Sequence, residues 1–223
     1  MQTTCSSAAT LAESASCSFF GAKAKQAVAP WRQGKQGDDK PVRLHVIKWD
    51  SARNVLQNSL KRVEKSKDHL SAAEITADLR QVQNTIDSLL DLQNQFSAYL
   101  TEQGDERNAL DSWVRFSVLS QGSAQALGVM AKGMNTTNEA KTVALEIKHV
   151  EATLYEQSAY ALGKAGRFAE SAHLWRASAS LAAELVGEAE QLENQELADR
   201  LRYEQSTRLL RAKENWNKVS KRD

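Results

Sequence analysis

The chain has 223 residues, 41% of them apolar and 26% charged, with 29 Lys and Arg against 28 Asp and Glu for a formal net charge of +1. That length fits one domain or two small ones with a sizeable core. The near-neutral charge excludes a chain that works mainly as a polyelectrolyte on nucleic acid or anionic lipid, because long-range steering needs a pronounced imbalance.

Both cysteines, Cys5 and Cys17, fall near the N-terminus, so no disulfide is expected to staple the core, which favours a reducing, cytoplasmic setting. Residues 1–40 read as a flexible tail, rich in Ser, Thr and Ala and then in Gly, Gln and Lys, with few apolar residues spaced for burial. The first part of the tail carries Glu13 and no base, which argues against a secretory signal. A Ser-rich, acid-poor start also resembles an organelle transit peptide or the leader of an injected bacterial effector; a plain tail is preferred. After Pro41, Val42, Leu44 and Val46 alternate with polar residues until Ile47 breaks the pattern. With no second strand nearby to complete a sheet, this stretch is expected to be an extended arm.

No proline follows Pro41 and the glycines fall mostly between apolar-periodic stretches, which predicts an all-α, antiparallel bundle of about six helices over residues 41–223. Asp50 and Ser51 cap a first helix over about 51–69, with Leu56, Leu60, Val63 and Leu70 on one stripe. Ser71 to Glu74 forms a capping box for a second, over 71–103. Its apolar residues, Ile75, Leu79, Val82, Ile86, Leu89, Phe96 and Leu100, keep a four-three spacing with Gln93 among them. Over about 30 residues this is a rod of about 45 Å. The 75–100 seam either packs within the chain, the favoured reading, or pairs with a second copy as a homodimer in which Gln93 fixes the register.

Gly104 ends that helix, and Asp105 with Glu106 starts a third over 106–133. Leu110, Trp113, Val114, Phe116, Val118 and Leu119 occupy more than one of its faces, so it is expected at the centre of the bundle, with Gly122 or Gly128 as points for a kink. Its uncharged run from Phe116 to Ala131 contains several Ser and Gln and falls short of the ~18 apolar residues of a membrane span. A capping box at Thr136 to Glu139 opens a fourth helix over 137–164, with Val143, Ile147, Val150, Leu154 and Ala161 inward. A fifth is expected over 167–186, ending near Gly187. The sixth, over 191–220, starts from about Asn194 and presents Leu197, Leu201, Leu209, Ala212, Trp216 and Val219.

The most specific stretch runs from Tyr155 to Leu181. Gly163 and Gly166 supply a permissive turn, and Tyr155, Ala159, Leu162, Phe168, Ser171, Trp175 and Ser178 alternate large with small. This resembles a single tetratricopeptide-type hairpin, with Ser171 where that repeat usually has Ala and Trp175 at its aromatic position; no second copy recurs at a period of about 34 residues. Trp175 is expected in a hole made by Ala159 and Leu162. Arg167, Glu170, Arg176 and Arg200, whose charges packing does not explain, are the candidate partner-binding residues.

Chemical signatures are sparse. Two Glu-x-x-His pairs, Glu146 with His149 and Glu170 with His173, have the spacing seen in carboxylate-bundle metal sites. In an antiparallel hairpin turning near Ala165 they sit about 16 Å apart along the axis, far beyond ligand bonds. No metal or cofactor is expected. The chain has no Gly-rich phosphate loop, Ser nucleophile elbow or Cys-x-x-Cys, so enzymatic activity is not expected either. The last helix is rich in Arg and Lys, but Asp199, Glu204 and Glu214 interleave with them, which disfavours nucleic acid and favours a salt-bridged surface.

The hairpin turn at Gly166 and Phe168, the Leu174-Trp175 pair, the small run Ala177 to Ala179 and the downstream Asn194-x-Glu196-x-Ala198 together resemble the ANR family, short bacterial negative regulators of AraC-type transcription activators. The resemblance covers residues of about 155–205. It departs in the greater length of this chain, in a longer link from Leu181 to Asn194 and in the lack of a cysteine after the last motif. It implies binding to an activator's dimerisation surface without catalysis. The expected function is therefore a non-enzymatic protein–protein interaction module, a bacterial regulator antagonising an activator. The alternatives are a self-assembling structural or secreted effector protein that uses the heptad helix and, ranked below it, a carboxylate-bundle metalloenzyme.

Overall fold

The computed structural model of the chain describes residues 40–68, 72–132, 134 and 137–221. Within them lie six α-helices: α1 Lys40–Asp68, α2 Ala72–Glu102, α3 Glu106–Ala131, α4 Asn138–Lys164, α5 Phe168–Gln191 and α6 Gln195–Val219. Residues 1–39 of the predicted tail, with both cysteines, and Leu70, Ser71, Gly133 and Thr136 lie outside the described residues, while Lys40 already belongs to α1.

Contacts between consecutive helices keep the sum of the two residue numbers nearly constant, as antiparallel neighbours must. His45 meets Phe96 and Arg62 meets Asp78 across α1 and α2. Gln93 meets Ser112 across α2 and α3, and Ser117 meets Ser158 across α3 and α4. Ser171 and Ser178 of α5 reach Ala159 and Ala152 of α4, and Lys218 of α6 lies over Phe168 of α5. Between α2 and α4 the difference is constant instead: Thr76 with Glu146 and Asp87 with Gln157 are both 70 apart, so these two helices run parallel. The pairs His149–Glu204 and Glu156–Arg208 make α4 and α6 parallel in the same way. The result is an all-α, up-and-down bundle in which α4 touches α2, α3, α5 and α6.

The N-terminal expectation fails. Residues 42–49 are helical, not extended, and α1 runs unbroken through Asp50 and Ser51. Proline is tolerated in a first helical turn, where its missing N–H has no partner to lose. Val42, His45, Trp49, Ala52 and Leu56 recur every three or four residues and turn inward. The apparent alternation was misleading: Leu44 and Ile47 are exposed. His45 stacks on Phe96 with centroids 3.7 Å apart. Burial, helped by the charge of Arg115, holds its imidazole down to about 4, so it is neutral there at ordinary pH.

The heptad seam of α2 lies inside the chain. Ile75, Leu79, Val82, Ile86 and Leu89 join the main core with α1, α3 and α4, while Phe96 and Leu100 cluster with Ala109 of α3. Gln93 is buried as well; its amide donates to Ser112 Oγ, which in turn donates to the Ala109 carbonyl. The buried amide of Gln93 is thus satisfied within the chain, by α3.

Three turns show how the chain reverses. Gly104 (φ 74°) and Gly166 (φ 75°) take the left-handed conformation after α2 and α4, and the N–H three residues past each helix closes on a carbonyl of the last turn: Asp105 on Leu100, Arg167 on Leu162. Gly163 is not part of the turn. It is helical, and its missing side chain leaves room for Ser171 and Asn215. After α5 the same reversal is made by Glu193, the one non-glycine residue with positive φ (56°) among the described residues, with the Asn194 N–H bonded to the Ala189 carbonyl. Helix α5 passes through Gly187 to Gln191, and α6 starts at Gln195, later than expected. Asp105, Thr137 and Asn194 are N-caps whose side chains accept from Asn108, Ala140 and Leu197. The box expected at Thr136 is therefore a single cap one residue later.

These turns predict opposite outcomes for two substitutions. Gly166→Ala forces a Cβ into the left-handed region and should destabilise by about 1–2 kcal/mol. Glu193→Gly relieves the same strain and should stabilise by up to about 1 kcal/mol, net of glycine's greater unfolded-state freedom. Urea unfolding of the two variants beside the parent checks both signs.

Candidate functional site

The hairpin forms as a close-packed unit. Small residues and serines bring α4 within hydroxyl reach of both its antiparallel neighbours. Ser120 Oγ donates to the Leu154 carbonyl (2.8 Å), Ser171 Oγ to the Ala159 carbonyl (2.6 Å) and Ser178 Oγ to the Ala152 carbonyl (2.7 Å). Ser171, standing where a tetratricopeptide-type hairpin usually has Ala, is one of these links. Trp175 is core, as expected, but its pocket differs: it clusters with Ala159, Leu174 and Ala212, the last from α6.

Helix α6 departs from its expected face. Leu201 and Ala212 are buried, but Leu209 is 48% exposed, and Arg208 beside it is 2% exposed. Arg208 reaches across to α4. Its Nε donates to Glu156 Oε2 at 2.9 Å and its Nη2 to Glu204 Oε2 at 3.1 Å. Glu204 also faces His149 Nε2 at 3.1 Å and accepts from Arg200 Nε at 2.9 Å. Burial pushes the Glu204 carboxyl up, but the hydrogen bond and charge of His149, the hydrogen bond of Arg200 and the charge of Arg208 outweigh it and hold it at about 2. A guanidinium this buried is tolerated because two carboxylates neutralise it and its planar fork spans both.

The four predicted partner-binding residues all lie on the α5–α6 unit, exposed, and each has an intramolecular partner. Arg167 donates through Nε to Glu170 Oε1 at 2.6 Å, so these two candidates satisfy one another at the start of α5. Arg176 lies 5.5 Å from the Trp216 ring centroid. Arg200 flanks the Glu204 cluster. The premise that packing leaves these charges unexplained does not hold; the residues remain at the surface but are not idle.

Sequence reasoning missed Tyr203 and Leu210, 75% and 57% exposed, which stand with Leu209 on the outer side of α6. The available signal was the spacing of Arg208 to Glu204, an i, i+4 pair on the face that also holds Leu201 and Ala212.

The two Glu-x-x-His pairs do not converge. Glu146 accepts from Thr76, His149 faces Glu204, Glu170 pairs with Arg167, and His173 packs edge-on against Trp216. Among the described residues no group of three or more His, Cys, Asp or Glu is placed to hold a metal ion, and no helix is long and apolar enough to cross a membrane.

A second carboxyl is perturbed the opposite way. Glu151 of α4 lies against Gly128 of α3, where a Cβ would come within 2.4 Å of its Oε1. Burial raises its carboxyl to about 7 against the opposing charges of Lys132 and Lys148, with Glu184 adding to the rise.

No protein-family model matches the chain, nor does any curated protein or solved structure.

The two carboxyls predict opposite pH dependences. For Glu151 the folded state holds its proton above the unfolded value of about 4.5, so its contribution is full at pH 4 and is lost as pH rises toward 7. Glu151→Gln should flatten the fall in melting temperature over that window. For Glu204 the folded value is depressed to about 2, so its contribution is present above pH 4.5 and is lost as pH falls toward 2. Glu204→Gln should lower stability at neutral pH and reduce the remaining acid sensitivity. Thermal melts from pH 2 to 8 measure both. Arg208→Met, which leaves two carboxylates facing an apolar side chain, should cost about 3–5 kcal/mol.

Proposed function

We propose that this protein acts by contact with another protein, as a non-enzymatic interaction module whose working face is the α5–α6 unit. The observation that carries this reading is that α6 buries an arginine and turns Tyr203, Leu209 and Leu210 to the outside. Exposed large apolar residues grouped on one helix are the usual substance of a contact surface. Arg176 and Arg200 border this face from α5 and α6 and supply polar edges. The resemblance of residues 155–205 to the ANR regulators supports a more particular form: a cytoplasmic regulator that binds the dimerisation surface of an AraC-type activator and antagonises it.

Co-expression with an AraC-type activator and a reporter gene tests this. Expected are co-purification of the activator and a lower reporter signal. Arg176→Glu should lose about 0.5–1 kcal/mol of folding stability with its contact to Trp216, stay folded, and weaken both readouts. Trp175→Ala should cost about 3–5 kcal/mol through lost burial and a cavity, and lose binding only in proportion to unfolding. Arg200 is less suited to charge reversal than a free surface residue, because Glu at 200 would face Glu204 one turn on; Arg200→Gln is the informative change. If the activator neither co-purifies nor responds, the regulator reading fails. If Trp175→Ala melts like the parent yet loses the partner, Trp175 belongs to the contact surface.

A further inference from the structure

We infer that the outer face of α6 is a docking site for an amphipathic helix of a partner protein whose apolar stripe is flanked by acidic residues. This deepens the reading above and rests on it.

The apolar part is geometric. Tyr203 and Leu210 are seven residues apart, two turns on the same face, and Leu209 widens the patch on one side. Helix α6 packs on α5 and, through the Arg208 cluster, on α4, and both lie on its inner side; no described helix covers the outer one. The burial of Arg208 holds this orientation, because rotating α6 to bury Leu209 would pull a guanidinium from its two carboxylates.

Charge selects the occupant. Along α6 the carboxylates of Asp199, Glu204 and Glu214 are taken by arginines, namely Arg202, Arg200 with Arg208, and Arg211; the exposed Glu196, in the first turn and seven residues before Tyr203, has no such partner among the described residues. Lys213, Lys218 and Lys221 have no carboxylate partner among the described residues; the ammonium of Lys218 sits 5.1 Å from the Phe168 ring centroid. Lys213 is three residues beyond Leu210, exposed and on its side of α6, and Lys221, also exposed, lies just past the helix end. Among the described residues, the uncompensated charge bordering the C-terminal half of the patch is therefore positive. A helix laid along α6 that buries its own leucines against Tyr203, Leu209 and Leu210 neutralises that charge with Glu or Asp on its flank.

The test uses the full chain and a fluorescent synthetic peptide of about five helical turns, with a Leu stripe and Glu flanks, a Lys-flanked copy of the same stripe, and vesicles of phosphatidylserine as a third probe. The Glu-flanked peptide is expected to bind, and the Lys-flanked peptide to bind at least about tenfold more weakly. Leu210→Glu should weaken binding of the Glu-flanked peptide by a similar factor, and Lys213→Glu with Lys221→Glu should reverse the preference between the two peptides. All three positions are exposed, so melting temperatures should stay near the parent's; Tyr203→Ser replaces Leu210→Glu if that variant does not fold. The proposal is overturned if the Glu-flanked peptide does not bind, if the substitutions leave binding unchanged, or if only the vesicles bind, which would make this a lipid-facing helix. A negative result here while the activator still co-purifies and responds to Arg176→Glu removes this surface alone; failure of both experiments removes the interaction reading with it.

Discussion

The fold depends on how closely α4 can be approached. Side chains of Leu or Val size hold two helix axes apart, whereas Ala and Ser let the backbones come near enough for a hydroxyl on one helix to reach a carbonyl on the next. Ser120 from α3 and Ser171 and Ser178 from α5 do this at Leu154, Ala159 and Ala152. Each bond contributes on the order of 1 kcal/mol net. Their larger effect is on position, because a hydroxyl bonded to one carbonyl sets the axial register of its helix and leaves no freedom to slide.

With α4 placed, the outer helices are placed by charge as well as by apolar burial. Thr76 and Gln157 tie α2 and α4 through Glu146 and Asp87. Across α4 and α6, Arg208 links Glu156 to Glu204. A buried ionic contact of this type adds less net stability than its Coulomb energy suggests, since each ion gives up its hydration. It is nevertheless sharply directional. Leu201 and Ala212 alone would accept a range of α6 rotations; a guanidinium held between two carboxylates accepts few. The outward position of Leu209, Leu210 and Tyr203 follows from that restriction, which connects the internal electrostatics of the bundle to the surface it presents.

The perturbed groups fit the same scheme. Glu204 is held ionised by its partners, while Glu151, lodged beside Gly128, is pushed toward neutrality by burial that Lys132 and Lys148 only partly offset. Both sit on or against α4. Their opposite shifts show that burial alone does not set the sign: the hydrogen bonds and charges around each carboxyl decide it.

The amino-acid sequence by itself determined the class of the fold and most helix ends, since these rest on local physics. The absence of proline after Pro41, the left-handed glycines Gly104 and Gly166, the capping side chains of Asp105, Thr137 and Asn194, and the four-three spacing from Ile75 to Leu100 act within a few residues of chain and are legible there. Three matters were decided only in the tertiary structure. Residues 42–49 join α1 because Phe96 and the α2–α3 core offer His45 and Trp49 a surface; the three-four spacing of Val42, His45, Trp49 and Ala52 competes locally with the alternation of Val42, Leu44 and Val46, and the tertiary contacts decide between them. Helix α5 continues past Gly187 because its last turns bury Leu185 and Ala189 against α6, outweighing a glycine's local cost. And α6 carries both an apolar and a charged candidate, Leu209 and Arg208, for one buried position. The choice fell to Arg208 because Glu156, 52 residues away in the chain, stands opposite it on α4, and a pairing of that separation exists only once the chain has folded.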